Sequence, residues 1–330
     1  MNTVNKVIDK LMNSEEPSIG FKLRAHVFGE NPHSPRMVAL QKEIRSSNRV
    51  QRLLSGRTED GRLHPASNPY HKWYGAHWVL AHLAELCYPK GDGSLVPLRE
   101  QVYECWLTKR MQNLVPVIQG KARRCASQQA NALFATLALG IADSRADTLV
   151  SLLCKWQWPD GGWNCDKNPD ASVSSFHETL LPLRALSLYS QSGSCGDLDD
   201  SIRRASEVFL SRHMFRRKRD GQVISSAFLK LHYPCYWHYD LLFGLKVMAE
   251  SGFIRDPRCK EALDILESKE LPYGGWAAEE RYYPTSAKDD AQPKPRHDKV
   301  TWGSQSKKSM NEWVTLDALF VLVRAGRITF

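Results

Sequence analysis

Apolar positions recur through most of this chain at three- and four-residue spacing, which predicts an almost purely helical protein. The stretch Arg145–Trp163 shows the device in full. Leu149, Leu152, Leu153 and Trp156 make one apolar face of a helix with a polar back, Pro159 forbids its continuation, and Asp160, Gly161 and Gly162 supply a tight turn. That turn lays Trp163 back against the helix it follows. Polar-backed helices of the same kind are expected at 98–110, 199–215 and 259–269. They alternate with more apolar segments that share a leucine spacing: HWVLAHLAEL from His77, NALFATLAL from Asn131, ETLLPLRAL from Glu178, HYDLLFGLKVM from His238 and EWVTLDALFVL from Glu312.

Each apolar segment reads as one member of a helical hairpin, preceded by its amphipathic partner. The member without a polar face must lie inside, so five or six hairpins closing on themselves give two concentric rings of helices, an all-α alpha/alpha toroid. The inner helices are expected to begin near His77, Gln128, His177, Trp237 and Asn311. Residues 1–65 carry shorter amphipathic fragments separated by Pro17, Pro32 and Pro35 and read as an N-terminal helical cap, with the toroid spanning 66–330. The polar, proline-bearing stretch 283–308 is expected as a long surface loop.

The stretch 259–276 repeats the helix, stop and turn of Arg145–Trp163: Pro159 matches Pro272, Gly161 matches Gly274 and Trp163 matches Trp276. Arg145, Leu152, Leu153, Gln157, Gly161 and Trp163 stand in the order of the QW motif, and here the chain resembles the squalene-hopene cyclases and their relatives. The second copy has Glu270 in place of the glutamine, and neither copy has the family's aromatic residue before the aliphatic run. The resemblance implies the alpha/alpha toroid that terpenoid cyclases share with the beta subunits of protein prenyltransferases and some carbohydrate-active enzymes. Full-length hopene-type cyclases have a second barrel that 330 residues cannot include, so squalene itself does not follow as the substrate.

Composition adds limits. With 42% hydrophobic and 25% charged residues the chain reads as a soluble, cytoplasmic protein without a signal peptide or an integral membrane segment. Its eight cysteines form no CxxC pair, which favours reduced thiols over a disulfide framework. The net charge of +9 is diffuse except at 212–219, which reads as a solvated turn, so no nucleic-acid partner is expected. No P-loop, dinucleotide-binding glycine pattern, GxSxG or HExxH occurs.

Candidate chemistry gathers where the inner helices start: His77 and Trp78, Asn131, His177 and Glu178, His238 with Tyr239 and Asp240, and Glu312 with Trp313. Parallel inner helices bring these positions to one mouth, although polar residues at helix starts also serve as caps. LHYPCYWHYD (231–240) is the densest of them, with Tyr233, Trp237 and Asp240 expected on one helical face beside Tyr236 and His238. Aromatic faces stabilise a passing cation, and a carboxylic acid kept protonated by an apolar site can start a cyclisation by protonating an alkene. The catalytic candidates are therefore Asp240, His238, Glu178 and His177. The text DLDD at 197–200 matches the acid motif of class II terpenoid cyclases, with Asp199 as its acid, but it opens an outer helix, where acidic residues cap. Cys165, Asp166 and His177 have the residue types that hold zinc in prenyltransferase beta subunits, but only His177 stands at a matching place, so no metal or other cofactor is assigned.

These features favour a terpenoid cyclase-like protein that transforms an isoprenoid in an apolar aromatic cavity. Two alternatives stay open: a non-catalytic toroid that binds a lipid, peptide or glycan, and a carbohydrate-active toroid with paired carboxylates such as Glu178 with Asp240 or Glu312. The cavity discriminates among them. Dry and aromatic favours isoprenoid, wet with facing carboxylates favours sugar, and filled with side chains favours a scaffold. Substrate, product and oligomeric state are not legible.

Overall fold

A computed structural model describes residues 3–64, 68–193, 197–286 and 296–330. The chain opens with α1 (Thr3–Met12), α2 (Pro17–Lys22, continued by one π-turn at Leu23–Val27), α3 (Pro35–Ser46) and α4 (Asn48–Leu54). Pairs of helices follow: α5 (Ala76–Glu85) with α6 (Val96–Trp106), then, after a short α7 (Lys109–Asn113), α8 (Ala126–Ala138) with α9 (Arg145–Trp156). Next come α10 (Phe176–Gln191) with α11 (Asp199–Leu210), α12 (Leu241–Glu250) with α13 (Lys260–Ser268), and finally α14 (Glu312–Arg324). Among the described residues the only sheet is an antiparallel pair, β1 (Val117–Ile118) and β2 (Lys121–Ala122).

Helices α5, α8, α10, α12 and α14 pack in succession, each on the next, and α6, α9, α11 and α13 pack against their outer sides. The sequence expresses this difference directly. In α5, every residue from Ala76 to Ala84 is buried, whereas α9 buries Leu149, Leu152, Leu153 and Trp156 and exposes the opposite face. The molecule is thus a two-ring alpha/alpha toroid as expected, but each inner helix packs chiefly on the outer helix that follows it rather than on the one that precedes it. The N-terminal helices link α14 back to α5: α2 and its π-turn pack on α14, α2 packs on α3, α3 on α4, and α4 on α5. Lys22 pairs with Asp317 of α14 at 3.7 Å, and the His26 ring lies 5.9 Å from that of Phe320. The expected boundary at 65/66 lies outside the described residues.

Four inner helices begin within two residues of the expected positions. The exception is α12, which begins at Leu241 rather than near Trp237 because 231–240 is an irregular loop closed by Asp240. Asp240 is the N-cap, and its carboxylate accepts from the Phe243 N–H at 2.8 Å. Tyr233, Trp237 and Asp240 therefore do not share a helical face. The stretch expected as a surface loop also departs from expectation where it is described. Asp298, Lys299, Val300 and Trp302 are buried, and Lys299 Nζ donates to the carbonyls of Leu53 at 2.9 Å and Ser55 at 2.7 Å. Residues 287–295 of that stretch lie outside the described residues.

The two Gly-Gly turns are built alike. Trp163 Nε1 donates to the Leu153 carbonyl at 2.9 Å and Trp276 Nε1 to the Leu266 carbonyl at 2.8 Å. The backbone N–H of each tryptophan is received by a threonine of the following inner helix, Thr179 Oγ1 at 3.1 Å and Thr315 Oγ1 at 2.9 Å. A side chain at Gly161 would meet the Arg204 carbonyl oxygen at 2.2 Å, and its φ of +101° is strained for any other residue. Gln157 Nε2 reaches the Gly161 carbonyl at 2.7 Å and the Ser201 carbonyl at 2.9 Å, tying this turn to the next outer helix.

Candidate functional site

The inner helices converge on one cavity, which they line mostly from their second and third turns. Trp78, His82 and Glu85 come from α5, Asn131 from α8, Leu181 and Arg184 from α10, Leu242 and Lys246 from α12 and Asp317 from α14, while the 231–240 loop adds Tyr233 and Tyr236. Its volume is about 50 Å³. Its floor is ionic rather than apolar. Lys246 Nζ lies 3.0 Å from Asp317 and 3.2 Å from Glu85, and Arg184 bonds Glu85 and, at 2.6 Å, Glu250. With Lys22, three cations meet three carboxylates here, and Arg184 and Lys246 hold the Glu85 carboxyl well below its usual range against the upward push of burial.

Above this floor the walls are aromatic. Trp73, Trp78 and Tyr236 form a buried cluster on which Tyr70, Trp237, Tyr282 and Tyr283 pack. Trp73 lies 3.9 Å from Tyr236 and 4.5 Å from Tyr283 between ring centroids. At the rim, Lys72 Nζ stands 4.1 Å from the Trp237 ring centroid and 5.8 Å from those of Trp73 and Tyr283, so three ring faces surround one ammonium. His238 stacks on Tyr282 at 3.9 Å, and its Nε2 lies 3.1 Å from the Tyr283 hydroxyl. Burial lowers the His238 pKa to about 3, helped by the neighbouring His177 and His232.

Behind the aromatic wall sits a carboxylate that the sequence pattern did not single out. Asp298, 1% exposed, accepts from the Tyr236 hydroxyl, from Trp302 Nε1 at 2.9 Å and from the Val300 N–H at 3.2 Å. His82 Nε2 lies 3.8 Å from its Oδ2, and neither ring nitrogen of His82 has a hydrogen-bonding partner among the described residues. Burial lowers the His82 pKa, so the imidazole is neutral, and it lines the cavity. The Tyr233 hydroxyl, also lining the cavity, is likewise unpartnered. His82 and Tyr233 thus bring two uncommitted polar groups to the cavity, and the Asp298 carboxylate stands behind them, reached through Tyr236.

The predicted site residues divide. Trp78, Asn131, Tyr233 and Tyr236 line the cavity, and Trp237 and His238 stand at its rim. His77 lies just outside the lining, with Nδ1 accepting from Trp106 at 3.3 Å and Nε2 3.2 Å from Asn131, and burial lowers its pKa to about 3. Trp313 stacks on Tyr233 at 5.4 Å. Tyr239 turns away and donates to the Met214 carbonyl at 2.5 Å, while its N–H is accepted by His177 Nδ1 at 2.9 Å. Glu312 accepts from Ser14 at 2.9 Å beside a separate polar cleft lined by Lys10, Glu16 and Arg49.

Asp240 also has structural partners. Fully buried, it accepts from the His232 N–H at 2.7 Å and the Phe243 N–H, with His232 Nδ1 at 3.3 Å, and it does not line the cavity. Asp199 is exposed at the start of outer helix α11, as its position in the sequence implies. Asp166 is exposed and accepts from the Asn168 N–H at 2.9 Å, so Cys165, Asp166 and His177 form no ligand set. Among the described residues one set of three metal-ligating side chains does come together, Cys125, Cys165 and Glu178. Burial pushes the Glu178 carboxyl up, and hydrogen bonding between the thiols raises Cys165 and lowers Cys125.

The missed residues had one signal. Glu85, Arg184, Lys246 and Asp317 are single charges inside apolar inner-helix text, and His82 stands among them in α5. Asp298 and Trp302 had none, because they lie in a polar segment without periodicity.

No protein-family model matches the sequence, and no curated protein matches it. Among solved structures, a substituted form of the type II terpene cyclase MstE from Scytonema, in complex with its product merosterolic acid A, is 14% identical, with 90% of this chain and all of that chain covered and a TM-score of 0.28. A second form, in complex with the substrate geranylgeranyl dihydroxybenzoate, is 16% identical over 86% of this chain and 98% of that one, with a TM-score of 0.25. Scores this low place the chain in no family, and the site has to be read from its own geometry.

Proposed function

We propose that this protein is an isoprenoid-converting enzyme of the terpenoid-cyclase type that works through cationic intermediates at the aromatic mouth. The observation that carries the reading is the position of Lys72 Nζ, within 6 Å of the ring centroids of Trp73, Trp237 and Tyr283. Rings that surround an ammonium here present the same negative faces to a carbocation. Trp78 and Tyr236 extend this surface inward to Asp298 and His82. In this reading Asp298 and neutral His82 are the acid and base of the reaction, with the cavity-lining Tyr236, which donates to Asp298, standing between Asp298 and the substrate. Asp240 is assigned the capping role that its hydrogen bonds describe, and His238 positions the rim through Tyr282 and Tyr283.

The test has two arms. Tryptophan fluorescence titrated with linear isoprenoid alcohols, their diphosphates and a trialkylammonium analogue measures binding, and product analysis measures turnover. The reading predicts that the ammonium analogue binds tighter than the neutral alcohol of the same length. Equal affinity of the two would remove the cationic element.

A second reading is favoured by one observation. The cavity of about 50 Å³ is far below the roughly 300–1,000 Å³ of ordinary small-molecule sites. A non-catalytic module that holds a ligand's head group at the rim would need no larger space. Binding without turnover across the panel selects it. The carbohydrate reading has no such support, because Glu178, Asp240 and Glu312 are each engaged with other partners and face no common space.

A further inference from the structure

We propose that Cys125, Cys165 and Glu178 form a binding site for a single zinc-type divalent ion, beside the aromatic mouth and distinct from the cavity. The three residues are remote in sequence, yet their ligand atoms all lie within 4.8 Å of one another. Cys125 immediately precedes α8, Cys165 follows the Gly-Gly turn by two residues beyond Trp163, and Glu178 is in the first turn of α10.

The surrounding backbone holds them there. Arg123 and Asn164 form a parallel bridge, which fixes the segment of Cys125 against that of Cys165. The Ser175 N–H donates to the Trp163 carbonyl at 2.9 Å and the Trp163 N–H to Thr179 Oγ1, which stitches the segment of Cys165 to α10. Glu178 Oε2 is held by the Ser127 N–H at 3.0 Å, and its other oxygen lies 3.5 Å from Cys165 Sγ, directed into the cluster. Ligands carried on fixed backbone lose little freedom on closing around an ion.

The donor set defines the ion. Two sulfurs and one carboxylate suit zinc, whereas magnesium and calcium take oxygen ligands. Two thiolates and a carboxylate carry three negative charges, a divalent ion leaves one, and Arg124, adjacent in sequence to Cys125, supplies a cation beside the cluster. One nitrogen of that guanidinium, Nη2, is buried without a hydrogen-bonding partner among the described residues. Three protein ligands leave a tetrahedral ion one open position, the arrangement of ions that bind a further ligand rather than only brace a fold. Tyr70 connects the two regions: its phenol interacts with Gln128, and its ring packs on Trp78 at 5.3 Å, at the edge of the aromatic cluster.

The experiment uses untagged full-length protein, stripped with a chelator under reducing conditions and titrated with cobalt(II) and then zinc. One equivalent of cobalt should bind and give a thiolate-to-cobalt charge-transfer band, which zinc then displaces. Cys125→Ser and Cys165→Ser should each lose the equivalent, Glu178→Gln should weaken it, and Cys105→Ser should leave it unchanged, all with wild-type far-UV circular dichroism. Should the cysteine variants fail to fold, alkylation of the wild-type chain followed by peptide mapping replaces them, with zinc expected to shield Cys125 and Cys165 and not Cys105. A band that persists in both cysteine variants, shielding of neither thiol, or no stoichiometric binding by folded wild-type protein overturns the proposal. None of these measurements depends on isoprenoid binding or turnover, so the two readings fail separately.

Discussion

His82 Nε2 stands 3.8 Å from Asp298 Oδ2, joining a histidine in the second turn of α5 to a carboxylate far along the chain. Trp302 Nε1, the Tyr236 hydroxyl and the Val300 N–H all donate to that carboxylate, so removing it leaves buried donors without acceptors. Each orphaned donor costs about 1–3 kcal/mol. Asp298→Ala is therefore expected to lower stability by roughly 2–5 kcal/mol in chemical denaturation. Asp298→Asn retains an acceptor oxygen and should cost less. Equal stability of Asp298→Ala and wild type would show that the network is not formed.

Trp163 and Trp276 are expected to matter for stability and not for ligand binding. Both are buried, and each bonds a carbonyl of the helix before it and a threonine of the helix after it. Trp163→Ala and Trp276→Ala should each cost about 3–5 kcal/mol. An unchanged melting temperature accompanied by lost ligand binding would assign the tryptophans to the site instead.

The ionic floor predicts an asymmetry. Lys246→Met leaves Asp317 buried with only Lys22, at 3.7 Å, and should destabilise by about 3–5 kcal/mol. Adding Asp317→Leu removes the stranded charge and should recover most of that loss, a coupling read from a double-mutant cycle. Additive losses would show that the two groups do not interact.

Stability should also fall in mild acid, before the carboxylates titrate. Burial holds His26 and His77 at about 3 in the folded protein, against 6.5 for an ordinary histidine. Below pH 6.5 the unfolded chain takes up protons that the folded chain refuses, so the stability present above pH 6.5 is lost progressively as the pH falls towards 3. Each histidine contributes on the order of 1 kcal/mol per pH unit at most, and His26 and His238, which are partly exposed, contribute less than His77. Denaturation at pH 7 and pH 5 should show the drop, and His77→Gln should reduce it. Equal stability at the two pH values contradicts the burial of these rings.

Much of the scaffold was legible because its signals are local and periodic. Leucine spacing located the inner helices, and the proline, glycines and tryptophan of each turn located the ends of outer helices α9 and α13. The start of α12 was misplaced since the aromatic run 231–240 also fits a helical spacing, and the hydrogen bonds that make it a loop come from distant groups. Glu280 bridges to His232, and the Glu279 carboxylate accepts from the Leu231 N–H at 2.8 Å. The site was half legible. Trp78, Asn131, Tyr233 and Tyr236 follow from helix starts and aromatic density, whereas Asp298 owes its burial to Tyr236, Trp302 and His82, and no local pattern encodes such a meeting.

The central claim is that protons and cations are handled between Asp298 and the aromatic mouth. Its most direct test is turnover of linear isoprenoids and their diphosphates by wild type, Asp298→Asn and Asp240→Asn, each shown by fluorescence titration to bind the same panel. The account predicts cyclised or isomerised product from wild type, its loss by about 100-fold or more in Asp298→Asn with binding retained, and its persistence in folded Asp240→Asn. Product formation that survives in Asp298→Asn and disappears in folded Asp240→Asn would contradict it.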